Sequence, residues 1–139
     1  MIAVRQVNDL TLAGPLLARA LAFEVGAGPE QGGQLVDLVG GCCLFELWDA
    51  DRLVGAFAAR RDSYSDGAVI TVTAAGGLPG YDLTSVIDAW AQLQAVGPGG
   101  ARALTCTTRR PGLVKKLKRA GYQVAGYVMR KEVAHGLPQ

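Results

Sequence analysis

The sequence predicts an α/β (α+β) domain in which a mixed, mostly antiparallel central sheet is flanked by helices. Three observations carry this expectation. Short runs rich in β-branched and aromatic residues alternate with segments whose apolar residues recur at helical spacing, Gly- and Pro-containing breaks separate the two kinds, and 50% of residues are hydrophobic against 19% charged. At 139 residues the chain fits one domain, 1–139, with a flexible tail expected over 134–139.

Taken in order, Ile2 to Val7 alternates as a short first strand and ends at Asn8–Asp9. From Thr11 to Val25, Leu12, Leu16, Leu17, Ala20, Leu21 and Phe23 mark a helix that tolerates Pro15 in its first turn. Glu30 to Val39 reads as a shorter helix closed by Gly40–Gly41. Two hydrophobic runs, Cys42 to Trp48 and Leu53 to Ala59, flank a polar turn of hairpin length and predict an antiparallel hairpin. After an expected polar loop from Arg60 to Gly67, the β-branched run within Ala68 to Ala75 predicts a central strand.

Gly76–Gly77–Leu78–Pro79–Gly80 then opens a helix over Tyr81 to Ala95, whose apolar face is Leu83, Val86, Ile87, Trp90, Ala91 and Leu93. Ala101 to Thr107 reads as a strand and Pro111 to Ala120 as a helix stopped by Gly121. Tyr122 to Val133 reads as a final long strand.

Charge and cysteine content exclude several classes of function. No apolar stretch approaches the roughly 18–20 residues of a membrane span, and the first ten residues carry Arg5 and Asp9 in place of a secretory signal, so a cytoplasmic protein is expected. Cys42, Cys43 and Cys106 are an odd set in apolar strand settings, read as reduced, buried thiols. The single histidine, His135, leaves no set of ligands for a His-based metal site, and no metal is expected. A net charge of +2 does not call for a nucleic-acid partner. The one charge cluster is Arg109, Arg110, Lys115, Lys116, Lys118 and Arg119, with no acidic residue among them. Leu113, Val114, Leu117 and Ala120 form the apolar stripe of that helix. Its basic face reads either as solvated or as a phosphate contact.

The element order, strand, helix, helix, three strands, helix, strand, helix, strand, resembles that of the GNAT N-acetyltransferases over nearly the whole chain to Val133. The stretch Arg110-Pro111-Gly112-Leu113-Val114-Lys115-Lys116-Leu117-Lys118-Arg119-Ala120-Gly121-Tyr122 is similar to that family's amphipathic helix and Gly-aromatic turn. The resemblance implies acetyl-CoA as cosubstrate and a small or peptidyl amine as acceptor. The pantetheine would run beside Val72, Thr73, Ala74 and Ala75, and the pyrophosphate would meet the turn that includes Gly77, Gly80 and Tyr81. Here the family's polar residue in that turn is absent, Pro79 removes a donor, and Asp82 caps the helix where phosphate would approach.

The family often places a Tyr four residues before the helix-ending Gly as general acid; that position is Leu117, while Tyr81, Tyr122 and Tyr127 read either as substitutes or as packing aromatics. Glu46, a strand carboxylate of the kind used as general base, is expected to point to solvent. No residue is singled out as catalytic. Three functions follow from this reading: an N-acyltransferase, a non-catalytic binding or assembly module on the same fold, and more weakly a nucleic-acid binder using 109–119. A homodimer pairing through the last strand is compatible with each.

Overall fold

The computed structural model describes residues 1–9, 15, 40–96, 100–108, 110–129, 131 and 133. The helices expected within 11–25 and 30–39 and the tail 134–139 lie outside these residues, Pro15 aside. The described elements are β1 (Ile2–Val7), β2 (Cys43–Asp49), β3 (Arg52–Tyr64), β4 (Gly67–Gly77), α1 (Leu83–Leu93), β5 (Ala101–Cys106) and α2 (Pro111–Arg119). One five-stranded sheet runs in the order β1-β2-β3-β4-β5. The first three pairings are antiparallel and β4–β5 is parallel, as the crossover through α1 requires.

Alternation along the strands sorts the two faces of the sheet. Phe45 and Leu47 of β2, Val54, Phe57 and Ala59 of β3 and Ile70 of β4 form the buried core, with Leu83, Val86, Ile87 and Trp90 of α1 packed against it. At its centre Phe45 and Phe57 stack with centroids 4.7 Å apart, and Trp90 meets both at 4.6 and 4.9 Å. Such packing of rings adds to the area they remove from water. Trp90 is thus the side chain that fixes α1 over the hairpin.

Two expectations about strand limits are corrected. The polar segment 60–64 is not a loop: Arg60 to Tyr64 extends β3 and pairs with Gly67 to Thr71. Its polar side chains stand in solvent and Arg60 pairs with Asp62 at 3.0 Å, so polarity there marks an exposed hairpin end. The second correction is at the C-terminal side. Tyr122 to Met129 forms no strand, and Val124, Tyr127, Val128 and Met129 are exposed. Alternating apolar residues satisfy a strand pattern, but a strand exists only when its main chain has a ladder partner.

The helix ends follow their capping residues. Asp82 caps α1, accepting the Ser85 N–H, and Pro111 starts α2 where its missing N–H costs nothing. At the other end of α2, Tyr122 N–H bonds to the Leu117 carbonyl at 2.9 Å and Gly121 N–H to the Lys118 carbonyl at 3.0 Å. That pair of bonds is the Schellman closure. It turns the chain sharply and brings Tyr122 back toward α1.

Candidate functional site

The site begins with a mismatch in strand length. The parallel ladder between β4 and β5 ends at Val72↔Cys106, while β4 continues to Gly77 along β3. Beyond that point Ala74, Ala75, Gly76 and Gly77 have no β5 partner, and alternate residues of an extended strand turn main-chain N–H and C=O away from β3. These groups form an open edge of β4 where β5 ends. A cleft of about 470 Å³ adjoins it, walled by Ala75 to Leu78, Tyr81, Leu83 and Thr84 on one side and Arg110, Gly112, Leu113 and Lys116 of the α2 entry on the other. Its volume falls within the range of small-ligand sites. Deeper between the β4 and β5 ends, a smaller apolar cavity of about 100 Å³ is lined by Val72, Ile87, Leu104 and Leu117 among others.

The turn from β4 into α1 is built by two glycines with different reasons. A Cβ on Gly77 would collide with Leu83 Cδ1 and lie 2.8 Å from the Val54 carbonyl, so Gly77 permits close packing of the α1 entry on β3. Gly80 has open space around it but a φ of +91°, a backbone conformation that a side chain would strain. The Leu78 N–H is committed to the Val54 carbonyl at 2.9 Å, and Pro79 has none. The N–H groups of Gly80, Tyr81, Leu83 and Thr84 find no acceptor among the described residues. Those of Leu83 and Thr84 are the usual orphan donors of a helix start and carry its partial positive charge, while those of Gly80 and Tyr81 belong to the turn before the N-cap Asp82.

Charges around this turn offset one another. The Asp82 carboxylate receives the Ser85 hydroxyl at 2.7 Å and its N–H at 3.3 Å, and Lys116 stands 3.5 Å away. Hydrogen bonds from the Ser85 side chain and backbone, with attraction to Lys116, hold this carboxyl below the usual carboxylate range. Asp82 is therefore both engaged and countered by a cation, which weakens the repulsion that its position would exert on a phosphate. Of the basic cluster, Arg110 and Lys116 face the cleft, while Lys115, Lys118 and Arg119 are exposed on α2.

The expected site residues Val72, Thr73, Ala74 and Ala75 all line the inner cavity, and Ala75, Gly77 and Tyr81 line the cleft. Gly80 forms the turn beside it. Tyr81 directs its hydroxyl to Asp49 at 3.1 Å, which ties the turn to the end of β2. Tyr122 donates to Asp88 at 2.7 Å across the inner cavity. Burial first, then the neighbouring carboxylate, pushes the Tyr122 phenol above its ordinary range, so it stays protonated. Tyr127 is exposed, and Leu117, at the position where the family carries its acid, is half-buried against the cavity.

Two expectations about side chains are overturned. None of the cysteines is in a disulfide, but Cys43 is exposed and Cys42 and Cys106 are half-buried, because Cys43 and Cys106 end their strands and Cys42 precedes β2, where the core thins. Glu46 does not point to solvent. It is buried and accepts the Trp48 indole N–H at 2.9 Å. Strand alternation identified the face Glu46 occupies but carries no information on whether that face is covered. Among the described residues, no group of His, Cys, Asp and Glu is placed to hold a metal ion, and no helix is long and apolar enough to cross a membrane.

A parallel pair that parts beside a Gly-containing helix start belongs to a GNAT-like fold, one this chain shares with solved acetyltransferases. A possible acetyltransferase from Clostridium difficile 630 superposes with a TM-score of 0.66 over 96% of this chain and 99% of its own, at 11% identity. A transcriptional regulator from Bacillus halodurans C-125 follows at 0.62, 12% identity, over 96% and 100%. The aminoglycoside N-acetyltransferase AAC(6')-Iy in complex with CoA superposes at 0.53, 15% identity, over 96% and 95%. At these identities the likeness is one of fold. No family model matches the sequence, nor does any curated protein.

Proposed function

We propose that this protein is a cytoplasmic N-acyltransferase that moves an acetyl group from acetyl-CoA to an amine. The observation that carries the reading is the open edge of β4 from Ala74 to Gly77, flanked by the cleft of about 470 Å³ into which Arg110 and Lys116 face. An extended amide-bearing arm pairs with such an edge as an added strand does. The free N–H groups from Gly80 to Thr84 and the two cations suit the phosphates. CoA-bound AAC(6')-Iy shares the fold, which supports the choice of cosubstrate.

Acetyl-CoA supplies the activated acyl group, as a thioester. The chain's own residues hold and orient it: the β4 edge fixes the arm, the α1 entry and α2 fix the phosphates, and the apolar cavity beneath excludes water. Tyr122 also lines that cavity, but its hydroxyl proton is donated to Asp88 and burial makes it a weaker acid than a free phenol, so it is given no part in the transfer.

A second reading, a non-catalytic module on the same fold, is favoured by one observation. The Leu78 N–H is spent on Val54 and Pro79 has none, so the turn offers fewer phosphate donors. Calorimetric titration with acetyl-CoA and desulfo-CoA separates the two. Saturable binding of both supports the transferase, and silence at millimolar ligand leaves the module.

A further inference from the structure

The segment after α2 is apolar, extended and unpaired. From Gln123 to Met129 it runs without helix, turn or bend, every residue is exposed, and no φ is positive even at Gly126. Among the described residues, no hydrogen bond reaches its main chain. Val124, Tyr127, Val128 and Met129 stand in water at 57–88% exposure. An extended apolar segment with both main-chain edges open is a template for strand pairing.

A further open edge lies beside it. β5 is an outermost strand of the described sheet, bonded to β4 on one side alone. Between the end of β5 and the 122–128 segment is a groove of about 710 Å³, floored by Val114, Leu117 and Lys118 of α2. Strands that pair directly stand about 4.8 Å apart and leave no such space. The groove is thus bounded by two main-chain edges, and an extended segment is the shape that satisfies both.

The occupant follows from counting edges. A peptide from elsewhere, or another part of the same chain, would pair inside the groove but leave the outer edge of 123–129 open. A second copy that seats its own 123–129 segment in the groove receives the first copy's segment in return, by the two-fold axis. The order is then β5, the second copy's segment, the first copy's segment and the second copy's β5, so one symmetry operation closes every one of these edges. Gln123 to Met129 holds no charge and no Pro, as a strand bonded on both sides requires. Tyr127 brings about 150–250 Å² and each of Val124, Val128 and Met129 about 60–120 Å². With the main chain and the groove walls, burial reaches the order of 800 Å² per partner that specific dimers show.

We propose that a second copy of this chain docks here, the two 123–129 segments exchanging grooves in a two-fold dimer with one continuous sheet. Leu104, Cys106, Leu117 and Tyr122 line both the groove and the inner apolar cavity, so each protomer's strand closes the outer wall of the other's cavity. The dimer does not depend on the acyltransferase reading.

Sedimentation velocity and amide hydrogen exchange by NMR on the full chain test this. The wild type should be a dimer at tens of micromolar, with the 123–129 amides protected there and losing protection on dilution. Val128→Pro removes a ladder donor at a residue that the monomer leaves unbonded, so it should weaken dimerisation at least tenfold and retain the monomer fold. Should Val128→Pro fail to fold, Tyr127→Lys, a change at an 88% exposed side chain, should give the same loss. A wild-type monomer at hundreds of micromolar would overturn the proposal. A dimer whose 123–129 amides exchange freely, or one undiminished in these variants, would place the interface elsewhere and refute it equally. Protection of these amides in a monomer, independent of concentration, would also refute it, by giving the groove to another part of the same chain.

Discussion

Gly112 offers a way to obstruct the proposed cofactor cleft without straining the fold. It lies in the first turn of α2, exposed, lines the cleft, and a Cβ built there meets nothing within 4 Å. Replacing a helical Gly relieves a backbone entropy cost of roughly 0.5–1 kcal/mol, and a Glu in the first turn gains a few tenths more from the helix dipole. Gly112→Glu should therefore match or exceed the wild type in stability. In the cleft, the same side chain adds volume and a negative charge beside Arg110 and Lys116. Its effect on CoA should be at least tenfold in Kd, which is about 1.4 kcal/mol. Urea unfolding and CoA calorimetry on the same preparation read the two effects independently. Unchanged CoA affinity in a stable Gly112→Glu protein would refute the placement of the cofactor between the β4 turn and α2. By contrast, Gly80→Val is a poor probe, since its φ of +91° would strain any side chain whether or not CoA binds there.

Three further outcomes follow from the packing and the titrating groups. Phe57 is fully buried between Phe45 and Trp90, so Phe57→Ala should cost about 3–5 kcal/mol in a urea melt, and a loss under 1 kcal/mol would contradict the core described here. The Asp82 carboxyl titrates lower in the fold than in the unfolded chain, so its capping contribution is present above about pH 4 and lost as pH falls through the native value. Asp82→Ala should lower the urea midpoint at pH 7 by the equivalent of about 1 kcal/mol and narrow to no difference near pH 2. An equal deficit at both pH values would refute the cap. The Tyr122 phenol titrates higher in the fold, so its contribution is present below about pH 10 and lost as pH rises toward the native value. Ultraviolet titration should show one late-ionising tyrosine that disappears in Tyr122→Phe, and its persistence would assign the shift elsewhere.

How much of this was legible in the sequence depends on whether a feature is local. The β-branched run of β4, the Pro at the start of α2 and the Gly after it state their own backbone geometry, and α1, β5 and α2 lie within one or two residues of their expected limits. Tyr122 to Met129 was misread because alternation describes a face and a strand needs a neighbour, which is a tertiary fact. Residues 60–64 were misread for the converse reason: polar side chains hide a ladder whose both faces are wet. At the site, the turn after β4 was readable from Gly76 to Pro79, yet the parting of β4 from β5 at Val72 depends on register between strands about 30 residues apart. Glu46 shows the same limit, since its burial depends on what covers the far face of the sheet.

The central claim is that CoA lies along the open β4 edge with its phosphates at the α1 entry. Amide-resolved NMR during titration with desulfo-CoA tests it directly. The account predicts saturable shifts at Ala74 to Gly77 and at Gly80 to Thr84, with the Leu78 amide, already bonded to Val54, little changed. Saturable shifts confined to the exposed face of α2 around Lys118 and Arg119, or no shift at millimolar ligand, would contradict it.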